Sequence, residues 1–257
     1  MNRNTAIGPW ALCIFFSTAL CAGKPAAPPD AWQAFLHKYL DTASSDGIHR
    51  IRYAAVTEPD RKALSAYLQG LQSEKLSALA RDRQRAFWIN LYNARTLAVV
   101  LEKFPVKSIV DVKLPGSPNG PWDAKLLHVE GRDLSLNEIE NSILRPGWKD
   151  PRIHFALNCA SLGCPDLAGE AFTAENSERL LEEGARAFIA SPRGAEFSGD
   201  TLRLSSIFDW YKTDFGKSPG DLLAWLASHA PKEKAARLKA HTGKIIYRYD
   251  WALNAKP

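Results

Sequence analysis

Residues 83–104 read R-Q-R-A-F-W-I-N-L-Y-N-A-R-T-L-A-V-V-L-E-K-F, and the organisation of the chain follows from this stretch. Phe87, Leu91, Ala94, Leu97, Ala98 and Leu101 recur at the three- and four-residue spacing that puts side chains on one face of a helix. Trp88, Ile89, Tyr92, Val99 and Val100 cover much of the remaining circumference. A helix that is apolar nearly all round belongs inside a core rather than on its surface, so residues 83–104 are expected to form the central buried helix. Pro105 ends it, because proline has no N–H to continue the ladder. Asn90 falls on the main stripe and Asn93 one turn further on. At least one of these amides is therefore desolvated and has to find hydrogen-bond partners.

Outward from this helix the pattern changes repeatedly. Upstream, Trp32, Phe35, Leu36 and Tyr39 repeat at helical spacing behind a capping Asp30, and a second helix is expected over 59–71. Downstream, residues 117–121 form a loop and 126–134 a short hairpin. Ser135 with Glu138 matches a capping box. The helix it opens carries Leu136, Ile139, Glu140, Ile143 and Leu144 on one face, which drops a carboxylate into an apolar stripe, and Pro146-Gly147 is expected to stop it. Residues 152–158 read as a buried strand running into a loop at 160–163. A helix capped by Thr173 follows, then a hairpin over 196–204, helices at 206–215, 219–229 and 232–240, and a final strand at 244–249. Helices dominate and the strands come as hairpins or late in the chain, so the expected class is α+β: a helix-rich single domain with a central buried helix and a small sheet.

The chain opens with one charge, Arg3, an apolar run over 7–20 broken by Gly8 and Pro9, and small residues at Cys21, Ala22 and Gly23. That is the layout of a secretory signal peptide over 1–23. Pro25, Pro28 and Pro29 make 24–29 a linker, and 30–255 the globular part. The expected location is periplasmic or secreted, with no transmembrane anchor after cleavage, since no later stretch approaches the roughly 20 apolar residues a span requires. Thirty-three Lys and Arg against 28 Asp and Glu give +5 at pH 7. The charges are interspersed without long runs of one sign, which argues against nucleic acid as a partner. Two of the four cysteines lie in or beside the signal segment, so cysteine chemistry rests on Cys159 and Cys164.

The segment H-F-A-L-N-C-A-S-L-G-C-P, His154 to Pro165, concentrates reactive groups. If it begins as a regular strand, His154, Ala156 and Asn158 share one face and Cys159 falls on the other. His154 and Cys159 then meet only if the chain turns at Asn158 or Cys159. With that turn, Cys159 is a nucleophile, His154 its base and Glu140 the group that orients the histidine, while Asn90, Asn93 or Asn158 orient the base or help hold an oxyanion. Such a site attacks an ester, amide or thioester of a small-molecule or peptide-like envelope substrate, as a hydrolase or acyl transferase. The competing reading is a non-catalytic envelope binding or interaction module stapled by a Cys159–Cys164 disulfide, natural in an oxidising compartment. Five residues separate the sulfurs' backbones by about 8 Å in a helix, so a bridge needs a loop that brings them to about 5.5 Å. Ala-Ser-Leu-Gly supplies one. Zinc ligation by His154, Cys159, Cys164 and Asp166 has the right donor types but not the C-x-x-C spacing of structural zinc sites. No metal and no cofactor are expected.

The stretches F-W-I-N-L-Y-N-A (87–94), L-S-L-N-E-I-E (134–140), D-P-R-I-H-F-A-L-N-C-A-S-L-G-C-P (150–165), I-F-D-W-Y (207–211) and Y-D-W-A-L-N (249–254) together resemble one family, the domain of unknown function 547. The resemblance spans about residues 81–254. It implies a fold and a motif set, often found in exported bacterial proteins, and no particular reaction.

Overall fold

The computed structural model describes residues 30–256; the expected signal peptide, the linker, Cys13 and Cys21 lie outside the described residues. Three helices open the fold: α1 (Asp30–Tyr39), α2 (Glu58–Gln72) and α3 (Arg81–Lys103). Every residue of α3 from Arg85 to Ala94 is buried, as an all-round apolar helix requires. Trp32, Phe35, Tyr67, Leu91, Leu97 and their neighbours make the larger of two apolar clusters around it. A two-residue ladder of β1 (Leu40–Asp41) and β2 (Arg50–Ile51) joins α1 to α2.

The hairpin of β3 (Leu127–Val129) and β4 (Arg132–Leu134) turns at Glu130 and Gly131, both with positive φ. It leads into the expected capping box, in which Ser135 Oγ accepts from the Glu138 N–H and Glu138 returns the bond. The helix then changes character twice: α4 (Leu136–Glu138) runs into a π-helical stretch, Ile139–Leu144, and continues as α5 (Arg145–Trp148). Pro146-Gly147 does not stop it. The wider π turns accommodate a proline that has no N–H to donate, and the helix ends instead at Lys149 in the left-handed region.

The largest departure from the sequence reading comes next. Residues 152–158 are not a strand. Pro151–Phe155 form a 3-10 helix, opened by Asp150, whose carboxylate accepts from the Arg152 N–H at 2.9 Å. The segment lies between the two cores: Ile153 and Leu157 pack into the first cluster and Phe155 into the second. Burial on both sides made it read as a strand, because a short apolar run looks the same in either case.

The second cluster is built on α6 (Ser177–Ala190), which begins one turn after Thr173, and on a three-stranded sheet of β5 (Ala195–Ser198), β6 (Thr201–Ser205) and β7 (Lys244–Arg248). β5 and β6 are antiparallel, while β7 pairs parallel to β6. The parallel pairing requires a crossover, provided by α7 (Ile207–Trp210), α8 (Lys212–Phe215), α9 (Pro219–His229) and α10 (Lys232–Ala240). The expected single helix over 206–215 is thus two, divided at Tyr211. After β7 the chain crosses to the first core and closes on earlier loops: Leu253 pairs with Ser161, Ala252 with Ser108 and Ala255 with Ile51. The architecture is α+β and helix-rich, with small sheets. Among the described residues no helix is long and apolar enough to cross a membrane.

Candidate active site

Where the two clusters meet, a cavity of about 330 Å³ opens to solvent. Four parts of the chain wall it. The π-helical stretch brings Glu140, the 3-10 helix brings His154, the loop after it brings Cys159 and Cys164, and the segments around α7 and β7 bring Trp210, Tyr211, Tyr249 and Trp251.

The cysteine loop is held by buried amides. Asn93 on α3 donates to Ala156 O and accepts from the Asn158 N–H, both at 2.8 Å. Asn158 accepts from the Ala160 N–H and donates to Pro165 O, again at 2.8 Å. Ala160 takes a positive φ of 61°, which turns the chain sharply after Cys159. The C-terminal segment secures the far side: Leu162 N–H and Gly163 N–H each donate at 2.8 Å, to Ala252 O and Asp250 O. A Cβ on Gly163 would lie 2.7 Å from Asp250 N, so only glycine permits that approach. Asn90 does a different job, exchanging two hydrogen bonds with the backbone of Phe172. Asn90, Asn93 and Asn158 thus shape the wall, and none of the three lines the cavity.

The turn brings the two thiols together as free cysteines. Cys159 N–H donates to Cys164 Sγ at 2.9 Å, and the Tyr249 hydroxyl lies 3.0 Å from Cys159 Sγ while donating to Cys164 Sγ at 3.2 Å. Ser161 Oγ is 3.2 Å from Cys159 Sγ and donates to the Tyr249 hydroxyl at 3.0 Å. Burial, reinforced by the neighbouring Cys164, pushes the Cys159 thiol well up. Burial also pushes Cys164 up, but the donors converging on it, the Cys159 thiol first and Tyr249 next, outweigh that and bring it below the usual thiol value. Such a pair releases one proton more readily than a lone buried thiol and holds the second harder, because two adjacent thiolates repel.

His154 is 4% exposed and Glu140 8%, and they meet: Glu140 Oε1 lies 3.4 Å from His154 Nδ1. That separation is an ion-pair contact without the alignment of a hydrogen bond, so Nδ1 has no hydrogen-bond partner. The other ring nitrogen, Nε2, bonds Asp214 Oδ2 at 2.8 Å. Asp214 in turn accepts from Arg145 Nε at 2.7 Å and Arg145 Nη2 at 2.9 Å. Tyr211 stacks on the imidazole with ring centroids 4.2 Å apart. Burial acts to lower the histidine pKa, but Asp214 and then Glu140 outweigh it and raise it above the ordinary value. The same pairing, with Arg145, holds Asp214 well below the usual carboxylate range in spite of its burial.

Of the residues singled out from the sequence, Cys159, Cys164, His154 and Glu140 line one cavity. No hydrogen bond joins His154 to Cys159; the partners of the thiol are Tyr249, Ser161 and Cys164. Asp214, Tyr211 and Tyr249 escaped sequence reasoning about the site. The two tyrosines carried a signal, because they end and open the motifs I-F-D-W-Y and Y-D-W-A-L-N, whereas Asp214 carried none. Among the described residues no cluster of His, Cys, Asp and Glu has the arrangement to hold a metal ion.

Comparison with known proteins adds a family and no chemistry. No curated protein and no solved structure matches the chain. Residues 76–189, which contain α3, Glu140, His154 and both cysteines, match the family described as Protein of unknown function, DUF547.

Proposed function

We propose that the cavity is the active site of a thiol-dependent hydrolase or acyl transferase, with Cys159 as nucleophile. The observation that carries this is convergence. Cys159, His154 and Glu140 come from separate elements and open into one cavity of about 330 Å³, and both Glu140 on its π turn and His154 are buried ionisable groups with nothing to gain for the core. Glu140 stands on π-helical backbone, a distortion frequent at functional sites.

In this reading His154 is a proton donor rather than the base assigned from the sequence, since two carboxylates favour its charged form and its Nδ1 makes no hydrogen bond within the described residues. The pair carries one thiolate, which converging donors place mainly on the buried Cys164; that sulfur is the acceptor at hand for the Cys159 proton, and the uphill transfer leaves the charge on the more exposed Cys159 Sγ. Cys159 Sγ then attacks the carbonyl carbon, and the tetrahedral adduct collapses as His154 protonates the leaving atom. Water or an amine attacks the resulting thioester and releases Cys159. Incubation with iodoacetamide followed by peptide mass spectrometry tests the nucleophile, alongside release of nitrophenol from a nitrophenyl ester. Selective alkylation of Cys159, with ester turnover lost in Cys159→Ser, is the expected result; no reaction of Cys159 in fully reduced protein ends the proposal. Export belongs to the same reading, and an N-terminus beginning near residue 23 in protein recovered outside the cytoplasm tests it.

The contact between the two thiols favours a second reading, in which they oxidise to a disulfide that staples the loop of a binding module. An intact mass two hydrogens short, with unchanged ligand binding on reduction, supports that reading over the first.

A further inference from the structure

The chain is basic overall, at +5, yet among the described residues no lysine or arginine lines the cavity. Its charged or ionisable side chains besides the cysteines and tyrosines are Asp123, Glu140 and His154. Glu140 faces His154, and beyond the ring Asp214 is matched by Arg145, so that chain of four charges is balanced when the histidine is protonated. Asp123 is different. It accepts a hydrogen bond from Asn137 Nδ2, but among the described residues no Lys, Arg or His is paired with it, although 23 such ion pairs occur elsewhere.

Beside Asp123 stands an aromatic wall. Trp251 packs against Trp122 at 5.6 Å, Trp210 at 5.7 Å and Tyr249 at 4.6 Å between ring centroids. All four rings line the cavity, and Trp210 is left 48% exposed. A large exposed tryptophan is costly to leave in water. Tyr211 is occupied differently, with its ring covered by the Arg145 guanidinium. Among the described residues no lysine or arginine covers the rings of Trp122, Trp210, Tyr249 or Trp251.

We propose that this wall and Asp123 form a recognition site for an organic cation, an ammonium group carried by the substrate of the cavity. Ring faces attract a cation through their quadrupole and lose nothing to an apolar alkyl shell around it, while the unmatched carboxylate supplies the countercharge. An anionic ligand meets two carboxylates and no lysine or arginine. A neutral saccharide gains from the rings but leaves the Asp123 charge uncompensated. The proposal rests on the cavity being the functional site, and it names the substrate class for that site: an acyl donor or acceptor bearing an amine or quaternary ammonium group.

Calorimetric titration of the Cys159→Ala protein keeps this question apart from the thiol chemistry, because binding is read with no nucleophile present. Choline, its neutral carbon isostere dimethylbutanol, and N-acetylglucosamine serve as probes. Choline is expected to bind about tenfold or more tightly than the isostere, which is the size of a partly desolvated cation–π contribution. Asp123→Asn is expected to weaken choline severalfold and leave the isostere unchanged, and Trp210→Ala to weaken choline severalfold more than it weakens the isostere. The Trp210 ring is half exposed and Asp123 is on the surface, so both proteins should fold, and their melting temperatures verify it. Equal binding of choline and the isostere, preference for the saccharide, or no choline binding up to about 10 mM overturns the proposal. Loss of alkylation at Cys159 in the wild type, with choline binding intact, overturns the nucleophile alone.

Discussion

Replacing Asp214 by asparagine keeps the shape of the side chain and one acceptor oxygen but removes the charge on which His154 and Arg145 converge. The native carboxylate accepts from His154 at 2.8 Å and twice from Arg145. Hydrogen bonds to charged groups contribute about 1.5–3 kcal/mol when buried, and the imidazole, 2% exposed in its side chain, is in that class. The Arg145–Asp214 pair is about one-quarter exposed on each side, so its share is discounted to about 1 kcal/mol. Asp214→Asn should therefore cost about 2.5–4 kcal/mol when the histidine is charged. The pH dependence carries the test. The His154 pKa is raised on folding, so its stabilising share is fully present below the unfolded value of about 6.5 and lost as pH rises through the higher folded value. The Asp214 pKa is depressed, so the carboxylate's share is present above the ordinary carboxylate range and lost only in acid. Urea unfolding followed by tryptophan fluorescence should then show the largest gap between wild type and variant near pH 5.5, narrowing to about 1 kcal/mol by about pH 9 as only the arginine pair is left. A gap that is constant from pH 5.5 to 9, or that widens with pH, refutes the claim that a charged His154 is what Asp214 holds.

Other perturbations probe the wall of the cavity and the core behind it. Asn93→Ala strands Ala156 O and the Asn158 N–H in a buried site and should destabilise by about 2–4 kcal/mol in denaturant titration, with faster alkylation of a loosened cysteine loop. Gly163→Ala drives a methyl group to within 2.7 Å of Asp250 N; a cost of about 1–3 kcal/mol is expected, and a smaller one means that the C-terminal segment does not clamp the loop as described. Tyr249→Phe removes the hydroxyl that donates to Cys164, so the pH midpoint for alkylation of the thiol pair should move upward, read by mass spectrometry across a pH series. Leu91→Ala in the fully buried centre of α3 should cost about 3–4 kcal/mol, the mark of a central rather than a surface helix.

The fold was legible wherever a single periodicity ruled. α3 is found within two residues of its expected start and one of its expected end, because a helix buried on every side leaves no other arrangement for its apolar residues. α9 and α10 have the expected limits, the first opened by Ser218 and Pro219. Where local geometry was set by partners distant in sequence, the pattern misled. Residues 151–155 are apolar because two cores claim them, and that is equally a strand signal. The proline that should have ended a helix sits in its first α-turn after a π stretch, an accommodation invisible in residue type. The divided helix around Tyr211 reads as one because Ile207, Phe208 and Phe215 are all core residues of the second cluster.

These misreadings are concentrated at the cavity, and there is a physical reason. A regular helix or strand satisfies its own backbone and directs side chains at fixed intervals, so it cannot bring three groups from separate stretches to one point unless the backbone departs from the regular path. Here Glu140 stands on a π turn, His154 on a 3-10 turn, and Cys159 directly before a residue at φ 61°. Strand alternation, taken as grounds for separating His154 from Cys159, fails because the strand does not exist. Two of the departures are held by side chains that hydrogen-bond the backbone: Asn93 and Asn158 fix the cysteine turn, and Asp150 opens the 3-10 helix. The amides considered for direct chemistry thus act one layer behind it. Their substitution should change how Cys159 is presented before it changes the reactivity of a correctly placed thiol, and the Asn93→Ala protein distinguishes the two. A loosened loop gives heterogeneous alkylation of both cysteines, whereas a lost oxyanion contact leaves alkylation intact and slows only ester turnover.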